Sequence, residues 1–241
     1  MCGFCGYSGA SIEARLQKMN DRMIHRGPDG AGYYQDPEGM MNLGHRRLAI
    51  IDLHTGTQPM CNEQGNLWLV FNGEIYNYQE LRNDLIASGR HMLATTSDSE
   101  VLLHLYEDLG HEMLCRLNGM FAFALWDEKN HRLFLARDRL GVKPLYWTWH
   151  QGRLIFASEL KAILCWPEIP KRMNPTAFSL YLSLRYIPDP DTIYQGIQRL
   201  LPGHYLTWTP GEEPKMVRYW DLDFTPHKTE FLPATWCECR C

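Results

Sequence analysis

Leu67-Trp68-Leu69-Val70-Phe71 is an unbroken apolar run of strand length, and it ends at Asn72-Gly73. Such a run reads as a buried strand, because a strand with one wet face would carry a polar residue at every second position. Around it the chain shows both periodicities, so the fold class is mixed α and β. Strand-like segments fall at 31–35, 41–44, 48–51, 121–126, 133–136, 145–149 and 154–157. Residues 127–130 and Gln151-Gly152 read as hairpin loops between them. Helical spacing over 12–23 places Ile12, Leu16, Met19 and Met23 on one face, with Ser11 as the cap. Further helices are expected over 79–88, stopped by Gly89, and over 99–109, stopped by Gly110, with Ser97 or Asp98 at its start. A short helix is expected to end at Leu164. Beyond Trp166 prolines crowd the sequence; one helix over 176–184 and one strand over 204–208 stand out. Residues 227–241 have no periodicity and read as a frayed end.

The chain has 241 residues, 45% of them hydrophobic and 22% charged, so it can bury a real core. The net charge is -4, with no basic run and no acidic tail, which argues against a nucleic-acid partner. No apolar stretch approaches the roughly 18 residues that span a bilayer. The start, Met1 to Ala10, lacks the charged and apolar regions of an export signal. Eight cysteines in a chain of this size, with no such signal, read as reduced thiols in a cytoplasm.

Cys2 is the residue with the most chemical content. Met removal would make it N-terminal, so that one residue carries both a thiol and an α-amine. A thiol pKa of about 8.5 and an amine pKa of about 7.7–8.0 make proton transfer from sulfur to nitrogen cost only about 1 kcal/mol. The thiol then has its own base and needs no histidine. Cys2 and Cys5 also form a C-x-x-C pair, but no strand can precede it, so a redox reading is poor. Cys5 reads as a small buried hydrophobe. Cys237, Cys239 and Cys241 offer soft-metal ligands without a fourth at zinc-finger spacing, and read as incidental. The ten histidines are dispersed, and no metal site is expected.

Six blocks, in order, resemble one family: Cys2-Gly3; Arg26-Gly27-Pro28-Asp29; Gly44-His45-Arg46-Arg47-Leu48; Phe71-Asn72-Gly73-Glu74-Ile75-Tyr76-Asn77; Ser97-Asp98-Ser99-Glu100; and the run from Arg137 to Tyr146. They are similar to the glutaminase domain of glutamine-dependent asparagine synthetases, which are class II glutamine amidotransferases. The resemblance runs from Cys2 to about Trp220. It implies an α+β fold, the αββα four-layer sandwich of N-terminal-nucleophile hydrolases, over residues 2–220 with a core over about 2–165. It implies Cys2 as nucleophile, with Asn72 and Gly73 as an oxyanion hole. Taken alone, Asn72-Gly73 is also a favoured turn pair. The resemblance further implies a glutamine pocket in which Arg47 holds the carboxylate, Asp98 and Glu74 hold the ammonium, and backbone at Ile50 and Ile51 completes the wall. In isolation Arg47 reads equally as a surface ion pair and Asp98 as a helix cap. No catalytic role is assigned to the Arg26–Asp29 block. The block from Asp138 to Tyr146 is either a structural hairpin or part of an ammonia path.

Family members carry a further domain that activates aspartate with ATP and Mg2+, marked by Ser-Gly-Gly-x-Asp-Ser. No Ser-Gly-Gly occurs here, and residues 221–241 read as a truncated linker or tail. The expected activity is therefore glutamine hydrolysis, with no cofactor in these residues. The implied partners are a separate synthetase domain or a second copy of the chain. The alternatives are a remnant that only binds a partner, an amidotransferase acting on another carboxylate, and a thiol redox or metal protein.

Overall fold

The structure, a computed structural model, describes residues 1–12, 14–49 and 56–224. The tail cysteines lie outside these. Strands and helices follow in the order β1 (Gly3–Ser8), α1 (Arg15–Asp21), β2 (Gly30–Gln35), β3 (Met41–Arg47), β4 (Met60–Cys61), β5 (Leu67–Ile75), α2 (Tyr78–Ser88) and α3 (Asp98–Leu109). After a 3-10 turn come α4 (Met113–Arg116), β6 (Gly119–Asp127), β7 (Arg132–Arg137), β8 (Tyr146–His150), β9 (Arg153–Ala157), α5 (Leu160–Ile163) and α6 (Pro175–Leu184). Strands β10 (Gln198–Arg199), β11 (His204–Trp208) and β12 (Lys215–Arg218) complete the described chain. None of the described helices is long and apolar enough to cross a membrane.

Among the described residues the strands form two six-stranded sheets. One has the order β10-β8-β9-β1-β3-β2 and the other β12-β11-β7-β6-β5-β4. Alternation of side chains along each strand builds three apolar layers. On β6, Phe121, Phe123 and Leu125 face α2 and α3, while Ala122, Ala124 and Trp126 face the opposite sheet. On β9, Leu154 and Phe156 face the other sheet, while Ile155 and Ala157 join Leu16, Met19 and Ala162 under α1 and α5. Helix, sheet, sheet and helix thus stack as an αββα sandwich. Each fully buried Leu or Phe contributes about 1.5–3 kcal/mol of burial free energy, so three such layers dominate the stability.

β1 lies mid-sheet, antiparallel to both β3 and β9. Its buried residues face apolar layers on both sides, so it carries no polar alternation, and sequence reading assigned no strand there. Ser158 extends the β9 pairing: its Oγ accepts from Phe4 N at 3.0 Å and its N–H donates to Phe4 O at 2.8 Å.

Several boundaries differ from the expectations. Asn72-Gly73 is not a turn, because β5 continues through it to Ile75, paired with β6. Gly73 is required by contact, since a Cβ there would lie 2.4 Å from Met120 O. Helix α1 starts at Arg15 rather than residue 12, and Ser11 does not cap it; the Ser11 hydroxyl instead accepts from Gln35 Nε2 at 2.8 Å. The strand expected over 48–51 is absent at Leu48 and Ala49, and its other half lies outside the described residues. β12, β4 and α4 are too short to leave a periodic signal.

Ser158→Ala would leave the Phe4 N–H buried and unpaired. Urea unfolding should show a loss of about 1–3 kcal/mol; an unchanged midpoint would show that the hydroxyl does not anchor β1.

Candidate active site

The layer between the sheets becomes polar at one end. On β3 the inward series Met41 and Leu43 continues to His45 and Arg47; on β5, Val70 continues to Asn72; before β1, Cys2 lies two residues from Phe4. A cleft of about 190 Å³ opens at this end, lined by Cys2, Arg47, Leu48, Asn72, Gly73, Glu74, Asp98 and Lys143 among others. Six residues singled out from the sequence are therefore brought together. Ile50 and Ile51 lie outside the described residues.

Cys2 is half-buried, and its Sγ contacts the backbone of Leu48, 3.4 Å from the nitrogen and 3.6 Å from the oxygen. Its carbonyl accepts from Arg26 Nε at 2.8 Å. Arg26 is held in turn by Glu159 at 3.1 Å, which also bonds His25 at 2.8 Å and Lys161 at 3.1 Å. Burial opposes ionisation of Glu159, but these three partners outweigh it and keep its carboxyl below the usual range. Gly27 lets the same loop close on β3, since a Cβ there would lie 2.4 Å from Arg46 C. Asp29 then fixes the strand end: its N–H donates to Arg47 O at 3.0 Å and its carboxylate accepts from Ala49 N at 2.9 Å. The Arg26–Asp29 block is thus a clamp on the two segments that carry Cys2 and Arg47. Cys5 points the other way from β1, into the layer under α1, and burial pushes its thiol pKa far up. Cys2 and Cys5 cannot act as a redox pair from opposite faces.

Asn72 is 1% exposed, and its Nδ2 has no hydrogen-bond partner among the described residues. Such an orphan donor is uncommon in a folded protein. The outer edge of β5 is occupied on both sides of Gly73. Phe71 N donates to Gln58 Oε1 at 2.6 Å, and Ile75 N donates to Asp98 Oδ2 at 3.0 Å. On the opposite strand, Phe121 spends its N–H and C=O on Asp138, at 3.2 and 2.8 Å. The Gly73–Phe121 pair is therefore a non-bonded one, and the Gly73 N–H points to the open edge with its neighbours. Two donors, Asn72 Nδ2 and Gly73 N, thus meet at the cleft.

Ser97, not Asp98, caps α3, accepting from Ser99 N at 3.3 Å. This leaves the Asp98 carboxylate to line the cleft. Burial raises its pKa, the bond from Ile75 lowers it, and Glu74 raises it further, with a net upward shift. Asp138 is a structural hub rather than a pocket acid: it also accepts from Leu140, Val142 and Lys143 N–H groups at 3.2, 2.9 and 3.0 Å. The loop so shaped delivers Lys143, buried, to the cleft wall. Sequence reading named neither Lys143 nor His45 as a site residue. Two-residue spacing from Leu43 to Arg47 was the signal that would have placed His45 on this face. His45 is fully buried and donates from Nε2 to Phe71 O at 3.1 Å, tying the two sheets together beside Asn72.

The profile of the glutamine amidotransferase domain matches residues 1–220. The chain belongs to the class II glutamine amidotransferase family. Among relatives, "Asparagine synthetase [glutamine-hydrolyzing] 1" of Bacillus subtilis is 38% identical over 237 residues, covering 95% of this chain and 37% of that protein. "Amidase chry2" of Gibberella zeae is 38% identical over 217 residues, covering 88% of this chain and 31% of that protein. The amidotransferase domain thus spans about a third of these relatives' length. A solved glutamine phosphoribosylpyrophosphate amidotransferase from B. subtilis, complexed with ADP and GMP, shares the fold. Its TM-score is 0.65 at 23% identity, and the match covers 91% of this chain and 49% of that one.

Burial lowers the His45 pKa from 6.5 to about 4, against the bond to Phe71 and with a further push from Arg47. The unfolded amidotransferase domain therefore takes this proton first as pH falls. The neutral His45 contributes stability above about pH 6.5, and that contribution disappears as pH falls through about 4. Over this window the wild type should lose on the order of 3 kcal/mol that His45→Gln does not lose. Denaturant midpoints across the window check this, and parallel pH profiles would contradict it.

Proposed function

We propose that this domain hydrolyses glutamine to glutamate and ammonia through a thioester on Cys2. The observation that carries the reading is that Cys2, Asn72 and Gly73 line one cleft, where Asn72 Nδ2 has no hydrogen-bond partner among the described residues. Removal of Met1, which lines the same cleft, converts the Cys2 nitrogen from an amide into a basic amine. That amine takes the thiol proton as sulfur attacks the side-chain carbonyl of glutamine. The carbonyl oxygen becomes an oxyanion and receives the Asn72 and Gly73 donors. The amine then returns its proton to the leaving nitrogen, the C–N bond breaks, and ammonia departs. Water attacks the thioester, again deprotonated by the amine, and glutamate leaves with the Cys2 thiol restored.

The remaining cleft residues suit the zwitterionic end of glutamine. Arg47 is the fork for its carboxylate, and Asp98 and Glu74 are the anions for its ammonium. Burial raises the Asp98 pKa, so an incoming ammonium is a partner that favours its charged form. We further propose that the ammonia serves a carboxylate acceptor activated elsewhere. The asparagine synthetase relatives favour aspartate, in a synthetase domain with ATP and Mg2+. The amidase relative keeps other carboxylates open as acceptors.

Cys2→Ala should abolish glutamate release, and Asn72→Ala should lower kcat by about 100- to 1,000-fold with little change in KM. Asp98→Asn, which keeps an acceptor for Ile75 N–H, should raise KM for glutamine instead. Activity persisting in Cys2→Ala would overturn the mechanism. Retained Met1 in an inactive wild type would favour a role limited to binding.

A further inference from the structure

On the helical side of the second sheet, outside the cleft, three separate segments converge on one polar cluster. Glu63 comes from the β4–β5 connection, His91 from the α2–α3 loop, and His104 and Glu107 from α3. Ligand atoms of Glu63, His91 and His104 all lie within 4.8 Å of one another. His104 Nδ1 is 2.9 Å from Glu107 Oε2 and 3.6 Å from Glu63 Oε2, and His91 Nδ1 is 3.5 Å from the same Glu107 oxygen. Ligand atoms around a tetrahedral zinc, at about 2.0–2.1 Å from the metal, lie about 3.3 Å apart. The three separations involving His104 Nδ1 and His91 Nδ1, at 2.9, 3.6 and 3.5 Å, are close to that spacing.

The outward atoms are also arranged as a metal site requires. Each histidine turns Nδ1 inward, and its far nitrogen faces a carboxylate. His91 Nε2 lies 3.0 Å from Asp108 Oδ1, and His104 Nε2 lies 4.0 Å from Glu100 Oε1. On His91 the 3.0 Å bond to Asp108 keeps the proton on Nε2 and leaves Nδ1 as a ligand, while His104 Nδ1, which donates to Glu107, gives up its proton when a metal binds. Glu107 is oriented likewise, because its second oxygen accepts from Asn62 Nδ2 at 2.8 Å. His104 is 1% exposed and anchors the buried side of the cluster, while Glu63 approaches from the surface.

We propose that Glu63, His91, His104 and Glu107 form a structural site for a divalent transition-metal ion of borderline softness, zinc above all. Two imidazoles and two carboxylates suit Zn2+ better than Mg2+ or Ca2+, which prefer oxygen-only sets. The site is closed, with four protein ligands, so it staples rather than catalyses. It joins the β4–β5 connection to α3, whose first residue is Asp98. Through Glu100 it also reaches the preceding loop, because that carboxylate accepts from Ala94 N at 2.6 Å and from Thr95 N at 2.8 Å. Sequence reading expected no metal because the ligands come from three segments and match no motif spacing.

The test uses the full chain with Cys237, Cys239 and Cys241 replaced by Ser, so that thiolates there contribute nothing. After chelator treatment, zinc should bind at one equivalent and raise Tm. Cobalt should give the visible bands of a tetrahedral site with no thiolate charge-transfer band. Asp108→Asn, which touches no metal, should weaken zinc about 10- to 100-fold. Glu63→Ala and His91→Ala should lose the bound ion and the Tm rise while keeping the wild-type circular dichroism. No binding by the parent chain, a thiolate band with cobalt, or undiminished zinc in the Glu63→Ala/His91→Ala double variant would overturn the proposal.

Discussion

The site depends on the pairing of β1 in the middle of a sheet. A segment this close to a chain start would ordinarily fray. Here Gly3 to Ser8 is hydrogen-bonded to β3 along its length, and to β9 over Cys5 to Tyr7. Its side chains are buried in apolar layers on both faces. Ahead of the β9 pairing, Ser158 secures Phe4 and Arg26 secures Cys2. Cys2 thereby adjoins a paired, buried strand, and its carbonyl is held by Arg26.

The second requirement is met by strand alternation. β3, β5 and β6 send every second side chain into the layer between the sheets, and the same faces run out into the cleft. The series end in Arg47 on β3 and Asn72 on β5, both beside Cys2. The cleft is thus the polar end of an apolar layer, and its groups are partly desolvated by position alone. Burial keeps His45 neutral and presses upward on the Asp98 pKa, while Asn72 Nδ2 has no hydrogen-bond partner among the described residues. The low-dielectric wall that makes an unmade bond costly also makes it effective when an anion forms there.

Much of this was legible in the sequence where local periodicity or motif order carried it. The apolar run 67–71, the hairpins around 127–130 and 151–152, and the helices over 79–88 and 99–109 all form with shifts of a few residues. Five of the six motif blocks contribute residues to the cleft, though Gln58 and Met120, which also line it, lie outside them. What was not legible depends on partners distant in sequence. Asn72-Gly73 carries a turn signal, but β6 and the contact of Gly73 with Met120 hold it in a strand. β1 lacks alternation because both of its faces are buried. Lys143 reaches the cleft only because Asp138 gathers the backbone of its loop, and the Glu63–His91–His104 cluster exists only once α3 lies beside β5. Ser11 had the chemistry of a cap, but α1 begins four residues later.

The central claim is that Cys2, freed from Met1, is the nucleophile of this cleft. Intact-mass analysis after treatment with a glutamine-mimicking electrophile tests it most directly. The account predicts a chain that begins at Cys2 and carries one adduct, mapped to Cys2 and prevented by excess glutamine. Adducts on Cys61, Cys115 or Cys165, or on Cys2 of chains that retain Met1, would contradict it.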